Sequence, residues 1–283
     1  AMKMNKYTLI NDDRMKLLKK LKDNSVQLII TSPPYNIGKS YEKRIPLNEY
    51  IEQQEETLIE CYRVLKDKGS LCWQIGNYID WKSNMTPLDI PIFNICNDLG
   101  LKLRNRIVWH YGHGLHSSNK FSGRYQTIMW FSKSDKYIFN LDAVRIPQKY
   151  PGKLSYKGPN KGKYSGNING KNPSDVWGIP NIKSNHIEKT IHPCQFPIEL
   201  AERLILALSN KNDLVIDPYA GVGTTLCAAL KNKRRSAGSE IKKKYINITK
   251  KRIKLLKKGK LPFRPIYFPI KMAGPNSSLY RRN

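Results

Sequence analysis

The apolar run Val26-Gln27-Leu28-Ile29-Ile30 leads into Thr31-Ser32-Pro33-Pro34-Tyr35-Asn36, and this junction restricts the fold more than any other stretch of the chain. Such a run, β-branched and stopped by prolines, predicts a buried strand entering a rigid loop. Proline has no N–H and a fixed φ, so the loop can neither extend a ladder nor start a regular helix. Its carbonyls therefore stand at the carboxyl end of a strand, where open α/β sheets bind ligands. Ser32 adds a hydroxyl and Tyr35 an aromatic face. That set suits a flat heterocycle with an exocyclic amine: Tyr35 stacks, while Ser32 and the Pro33 carbonyl accept the amine hydrogens. A proline-rich loop with a packing tyrosine is the plainer alternative.

A second strand, turn and helix lie far downstream, in Leu214-Val215-Ile216-Asp217-Pro218-Tyr219-Ala220-Gly221-Val222-Gly223-Thr224-Thr225 and the helical Leu226 to Leu230. Gly221 and Gly223 let a ligand approach the backbone, and Glu240, after the strand-like run 235–239, could accept from ribose hydroxyls. The turn has no basic residue and no G-K-[ST], which points to a nucleoside without a phosphate chain. Between these stretches, periodicity predicts strands at 7–10, 70–75, 106–110 and 127–131 and helices at 15–21, 47–65 and 90–99. A further helix follows Pro197, and a basic one runs from about 242 to 258.

Fifty Lys+Arg against 22 Asp+Glu leave a formal net charge of +28 in 283 residues. Such a field attracts polyanions, nucleic acid first; an anionic membrane surface is the rival. No apolar run approaches the ~18–20 residues that span a bilayer. The polar start predicts no secretory signal. Five scattered cysteines without a C-x-x-C pair suit a reducing cytoplasm, and neither a disulfide framework nor a zinc site. His110, His113 and His116 are separated by glycine, so no metal site is expected there. Residues 141–190 mix glycine, lysine and tyrosine without a periodicity of their own. They read as a basic insert whose Lys149, Lys153, Lys157, Lys161 and Lys163, with Lys39 nearer the catalytic loop, would contact DNA.

Together these motifs resemble the S-adenosylmethionine-dependent amino-methylating DNA methyltransferases. Ser32-Pro33-Pro34-Tyr35 matches their [DNS]-P-P-[YFW] catalytic motif, and 217–225 matches their D-P-F-x-G-x-G-T-T cofactor motif. His192-Pro193-Cys194-Gln195-Phe196-Pro197 resembles the H-P-[TA]-x-[KF]-P segment that packs over the methionine part of the cofactor. The catalytic loop precedes the cofactor loop, as in the permuted β class. Asp13 corresponds to the acid of the family's G-D stretch, although Asp12 stands where glycine is usual. Cys194 follows a proline like the nucleophile of cytosine-C5 enzymes, but in a different motif.

The resemblance implies a Rossmann-like α/β fold with a mostly parallel seven-stranded sheet and circularly permuted motif order. The catalytic half would be 1–140, a target-recognition insert 141–190, the cofactor half 191–260 and a tail 261–283. The implied catalytic residues are Ser32, Pro33, Pro34 and Tyr35. The implied cofactor residues are Asp13, His192, Pro193, Gln195, Phe196 and Pro197, then Asp217, Pro218, Tyr219, Ala220, Gly221, Gly223, Thr224, Thr225 and Glu240. The implied reaction is methylation of a flipped base in double-stranded DNA, inside a prokaryotic cytoplasm. S-P-P-Y goes with cytosine N4 more often than adenine N6, so the resemblance implies cytosine N4 as the target, within a restriction-modification system, and leaves adenine N6 as the alternative. A non-catalytic DNA-binding protein, an RNA methyltransferase, a companion restriction endonuclease and a homodimer also stay open.

Overall fold

The computed structural model describes residues 6–114 and 116–267. The chain first forms β1 (Tyr7–Ile10), α1 (Arg14–Lys20), β2 (Val26–Thr31), α2 (Leu47–Val64) and β3 (Leu65–Ile75). The hairpin β4 (Asn77–Ile79) and β5 (Met85–Pro87) comes next, followed by α3 (Asp89–Asp98), β6 (Lys102–His110) and β7 (Tyr125–Ser132). Then come β8 (Val176–Gly178), α4 (Ile198–Leu208), β9 (Leu214–Asp217), α5 (Thr224–Lys231), β10 (Arg235–Ser239) and α6 (Lys243–Lys257).

One sheet takes the order β1-β10-β9-β2-β3-β7-β6-β8. It is parallel from β1 to β3, and β7 is antiparallel to both neighbours. Alternation along each strand builds two cores. Leu28, Ile30, Cys72 and Val215 face α4, α5 and α6, while Ile29, Leu71, Trp73 and Ile216 face α1, α2 and α3. The central strands are therefore apolar on both sides and must be covered twice, as in doubly wound sheets.

The starts of β3 and β6 and the number of strands depart from the sequence reading, β6 beginning at Lys102 rather than at 106. α2 passes directly into β3 at Leu65, five residues before the start of the expected strand at 70–75. β3 pairs Leu65 with Val26 and then slips, so that Ser70 meets Leu28, and the bulge absorbs 66–69. The seven expected strands are joined by an eighth, because Val176–Gly178 pairs in parallel with Val108–His110. Val144, Trp177 and Ile179 are buried with α4, so both ends of the 141–190 stretch belong to the main core. Its middle projects, closed on itself by bridges Leu154–Tyr164 and Ser155–Lys161, with Lys149, Lys153, Lys157, Lys161 and Lys163 exposed. Residues 1–5 of the catalytic half and 268–283 of the expected tail lie outside the described residues.

The sheet's switch point lies between β2 and β9. These strands are neighbours, pairing Leu28 with Val215 and Ile29 with Ile216. The helices that follow them, α2 and α5, cover opposite faces. Diverging connections open a crevice beyond the carboxyl ends of two such strands. Both motif loops start there.

Candidate active site

Thr31 ends β2, and the loop after it is held from three sides. The Ser32 and Tyr35 hydroxyls are 3.0 Å apart. Tyr35 donates to Gln126 Oε1 of β7 at 3.3 Å, and the same oxygen accepts from Gln74 Nε2 of β3 at 2.7 Å. The Tyr35 ring lies on Gly76, where a Cβ would stand 3.0–3.1 Å from ring carbons. From α2, the Tyr50 hydroxyl donates to the Pro34 carbonyl at 2.7 Å. Asn36 takes a left-handed φ of 58° and its amide exchanges hydrogen bonds with Ile45 at 2.7 and 2.8 Å. The Glu42 carboxylate accepts from the backbone of Asn36 and Ile37. Burial pushes the Tyr35 phenol well above its ordinary value, so it stays a neutral donor at physiological pH.

Asp217 ends β9 and is fully buried. Its Oδ1 accepts from the Thr31 hydroxyl at 2.6 Å and from the Tyr219 amide at 3.1 Å. Its Oδ2 accepts from the Thr225 hydroxyl at 2.8 Å. One carboxylate thus ties the last residue of β2 to the first turn of α5. Burial outweighs these hydrogen bonds and pushes its pKa up to about 6.

The turn after it is shaped by two left-handed glycines, Gly221 (φ 52°) and Gly223 (φ 75°). At Gly223 a Cβ would stand 2.3 Å from Thr249 Cγ2, so this glycine is required by packing against α6. Arg252 of α6 donates to the Val222 carbonyl at 2.7 Å and to Thr224 Oγ1 at 3.1 Å. Glu240 accepts from the amides of Gly221 (3.1 Å) and Lys242 (2.7 Å), and burial raises its pKa.

His192 covers this turn. Its Nε2 would be 3.4 Å from a Cβ at Gly221, and its ring stacks on Tyr41 at 5.3 Å and meets Tyr245 at 4.6 Å. The Cys194 amide donates to Nδ1 at 3.1 Å, leaving the ring proton on Nε2. Burial, then Lys189, Lys244 and Lys242, pushes its pKa down to about 4, so the imidazole is neutral at pH 7. The segment 192–197 is anchored by Glu188, which accepts from the amides of Ile198 (2.9 Å) and Arg264 (3.1 Å).

The sequence-predicted residues thus fall into two groups. Ser32, Pro34, Tyr35, Asp13, His192, Pro193, Tyr219, Gly221 and Glu240 keep exposed or half-exposed positions around the carboxyl ends of β1, β2, β9 and β10. Pro33, Gln195, Phe196, Pro197, Asp217, Pro218, Ala220, Gly223, Thr224 and Thr225 are buried. Several of these side chains are committed to protein partners: Gln195 to Thr190 and Glu188, Thr224 to the Phe196 carbonyl, Thr225 to Asp217. The polar side-chain atoms of Asp217, Gln195, Thr224 and Thr225 are thus hydrogen-bonded within the frame behind the turn. Asp13 caps α1 through the Met15 amide at 2.8 Å and pairs with Arg14 at 2.6 Å. Lys39 is exposed on the loop that carries Tyr41, and Cys194 is exposed at the cleft. Among the described residues no group of three or more His, Cys, Asp or Glu is placed to hold a metal ion, and no helix is long and apolar enough to cross a membrane.

Sequence reasoning missed Thr31, Gln74, Gln126, Tyr41, Tyr50, Glu188 and Arg252. The alternation of β3 and β7 flags Gln74 and Gln126 as polar positions among apolar ones; the others carry no local signal.

The profile of the N6/N4 DNA methylase family matches residues 26–251. The type II methyltransferase M.BglII of Bacillus subtilis is 48% identical over 240 residues, covering 85% of this chain and 67% of that protein. The DNA adenine methyltransferase YhdJ of Escherichia coli is 34% identical over 251 residues, covering 87% and 82%. Among solved structures, the cytosine-N4-specific PvuII DNA methyltransferase superposes with a TM-score of 0.66 at 22% identity, covering 88% of each chain. The Thermus thermophilus protein TTHA0409, in complex with S-adenosyl-L-methionine, superposes with a TM-score of 0.64 at 25% identity, covering 88% and 94%.

Proposed function

The chain belongs to the N6/N4 DNA methylase family, and from that premise we propose that it methylates the exocyclic N4 of cytosine at a specific site in double-stranded DNA. The observation that carries this reading is the Ser32–Tyr35 pair, 3.0 Å apart between hydroxyls, on a rigid loop beside the glycine turn of β9. Serine is neutral: its hydroxyl donates to Tyr35, whose own proton goes to Gln126, and its oxygen is left to accept an amine hydrogen. A turn of the hydroxyl on base binding would aim its proton at an acceptor such as ring N3 of cytosine. The Pro33 carbonyl takes the second amine hydrogen. Holding both N–H groups favours a pyramidal nitrogen with its lone pair aimed across the crevice. Tyr35 stacks on the flipped base, and the two glutamines fix its hydroxyl.

S-adenosylmethionine supplies, when bound, an electrophilic methyl on a sulfonium. The residues present fit it. The half-exposed Gly221 without a side chain, the Glu240 carboxylate at the end of β10 and the neutral His192 above the turn offer a cradle for a nucleoside with a positively charged sulfur. Asp13, Pro193 and Tyr219 complete its rim, while Asp217, Thr224 and Thr225 hold the turn in shape. No general base is required in this arrangement, since the methylated amine sheds its proton to water, directly or with the Ser32 hydroxyl accepting it while passing its own proton on to water.

The exposed lysines of the projecting insert and Lys39 are proposed to contact the phosphate backbone. The type II methyltransferase relatives favour a role beside a companion restriction endonuclease. Adenine N6 is the second reading, favoured by the likeness to YhdJ. Labelled S-adenosylmethionine offered with duplex DNA, RNA and protein tests the substrate class; label confined to RNA or protein refutes it. Nuclease digestion and mass spectrometry of the DNA nucleosides should then give N4-methylcytosine, and N6-methyladenine alone would overturn the choice of base.

A further inference from the structure

The turn joining β6 to β7 stands at the same sheet edge as Tyr35, because β7 is antiparallel to β3 and β6 antiparallel to β7. Within it the Ser117 amide donates to Ser122 Oγ at 3.0 Å, and the Ser117 hydroxyl meets Asn119 Oδ1 at 3.0 Å. At the root of the turn, the Tyr111 amide donates to the Arg124 carbonyl at 2.8 Å. The small loop so closed presents Phe121 to solvent with a relative exposure of 102%. An isolated apolar side chain on a surface is ordinary. The position of this one is not. Gln126, which receives the Tyr35 hydroxyl, is five residues further on, so Phe121 lies within about 18 Å of it along the chain. Lys120 and Arg124 flank the ring with positive charge. Of the other exposed aromatics at this edge, Tyr125 is 55% exposed, and Trp81, 83% exposed, has the Arg44 guanidinium 3.9 Å above its ring. Phe121 is the most exposed of the three.

A base drawn out of a duplex leaves a gap in the stack, and an apolar wedge between neighbouring base pairs offsets the lost stacking. We propose that Phe121 enters the base stack at the position vacated by the target nucleotide and so holds the flipped state open. The inference rests on the reading of the chain as a methylase of bases in duplex DNA. Its occupant is the DNA stack: the ring is apolar, its flanks are cationic, and the loop projects beside the residues that would grip the base.

The test compares wild type, Phe121→Ala and Phe121→Trp on two oligonucleotides carrying the methylation site, mapped beforehand on plasmid DNA. One is fully paired; in the other the target base faces an abasic position and is already unpaired. Phe121→Ala should lower kcat/KM on the paired duplex about 10- to 100-fold, and leave the unpaired target within about threefold of wild type. Phe121→Trp should retain most activity on both. In a paired duplex with a fluorescent cytosine analogue at the target, the alanine variant should also give a smaller rise in emission on binding. Equal losses on both oligonucleotides, or undiminished turnover of the paired duplex, would overturn the wedge while leaving the methylase reading intact. A wild-type protein that labels neither would sink that parent reading instead.

Discussion

Asp217 offers a quantitative check on how the two motif loops are joined. Its pKa rises from an ordinary 3.8 to about 6, with burial the largest cause. A shift of roughly two units corresponds to about 3 kcal/mol at ~1.4 kcal/mol per unit. The folded state therefore binds this proton more tightly than the unfolded chain, and between about pH 4 and pH 6 stability falls as pH rises. The contribution is complete below about pH 4 and gone above about pH 6. Asp217→Asn removes the titration but keeps the shape. Tyr219 and Thr31 can still donate to the remaining oxygen, and the Thr225 hydroxyl can turn to the Ile30 carbonyl, 3.3 Å away, to accept from the new amide. Urea unfolding of wild type and variant at matched pH values cancels every other titrating group. The stability difference should shift in favour of the variant by about 3 kcal/mol between about pH 4 and pH 7.5. Parallel pH profiles would refute the buried, ionisable latch. Asp217→Ala removes the same titration and also leaves two hydroxyls and an amide without their acceptor, so it should destabilise by about 2–4 kcal/mol near pH 4 and by correspondingly less at pH 7.5.

Tyr35→Ala should lower turnover about 5- to 150-fold, the worth of one base–aromatic stack, with S-adenosylmethionine affinity unchanged by calorimetry; a matching loss of affinity would mean the ring belongs to the cofactor side. Gly223→Ala combines a left-handed φ of 75° with a methyl 2.3 Å from Thr249 Cγ2, and should cost about 2–4 kcal/mol in urea unfolding; a cost under about 1 kcal/mol would show that α6 packs less tightly than described. DNA affinity should fall with salt at about −0.9 per phosphate neutralised, and Lys157→Ala with Lys161→Ala should flatten that slope by about 2 units in all. An unchanged slope would place these lysines away from the DNA.

What could be read from the chain alone follows from how local its cause is. The strand at 26–31 and its loop announce themselves through a β-branched run and two prolines, and the turn at 217–225 through its glycines, because each depends on neighbours in sequence. β8 was hidden because three residues ending in glycine carry no period, and only an unfilled edge of β6 makes them a strand. The start of β3 was hidden because its bulge is defined by pairing with β2. Asp217 shows the deeper limit. A carboxylate at a strand end next to a ligand turn reads as a ligand contact, since acids are rarely buried without partners. Its partner Thr31 is 186 residues away in sequence and 2.6 Å away in space, so the motif position was visible and its direction was not. The carboxylate points into the protein because that is where its three donors converge. The adjacency of β2 and β9, which the two motifs only implied, is thereby fixed chemically at the residue preceding Ser32. A methyl donor held by one loop and a base held by the other can meet only if that adjacency is rigid, so burying a charge at the joint is a cost borne for alignment of the two loops.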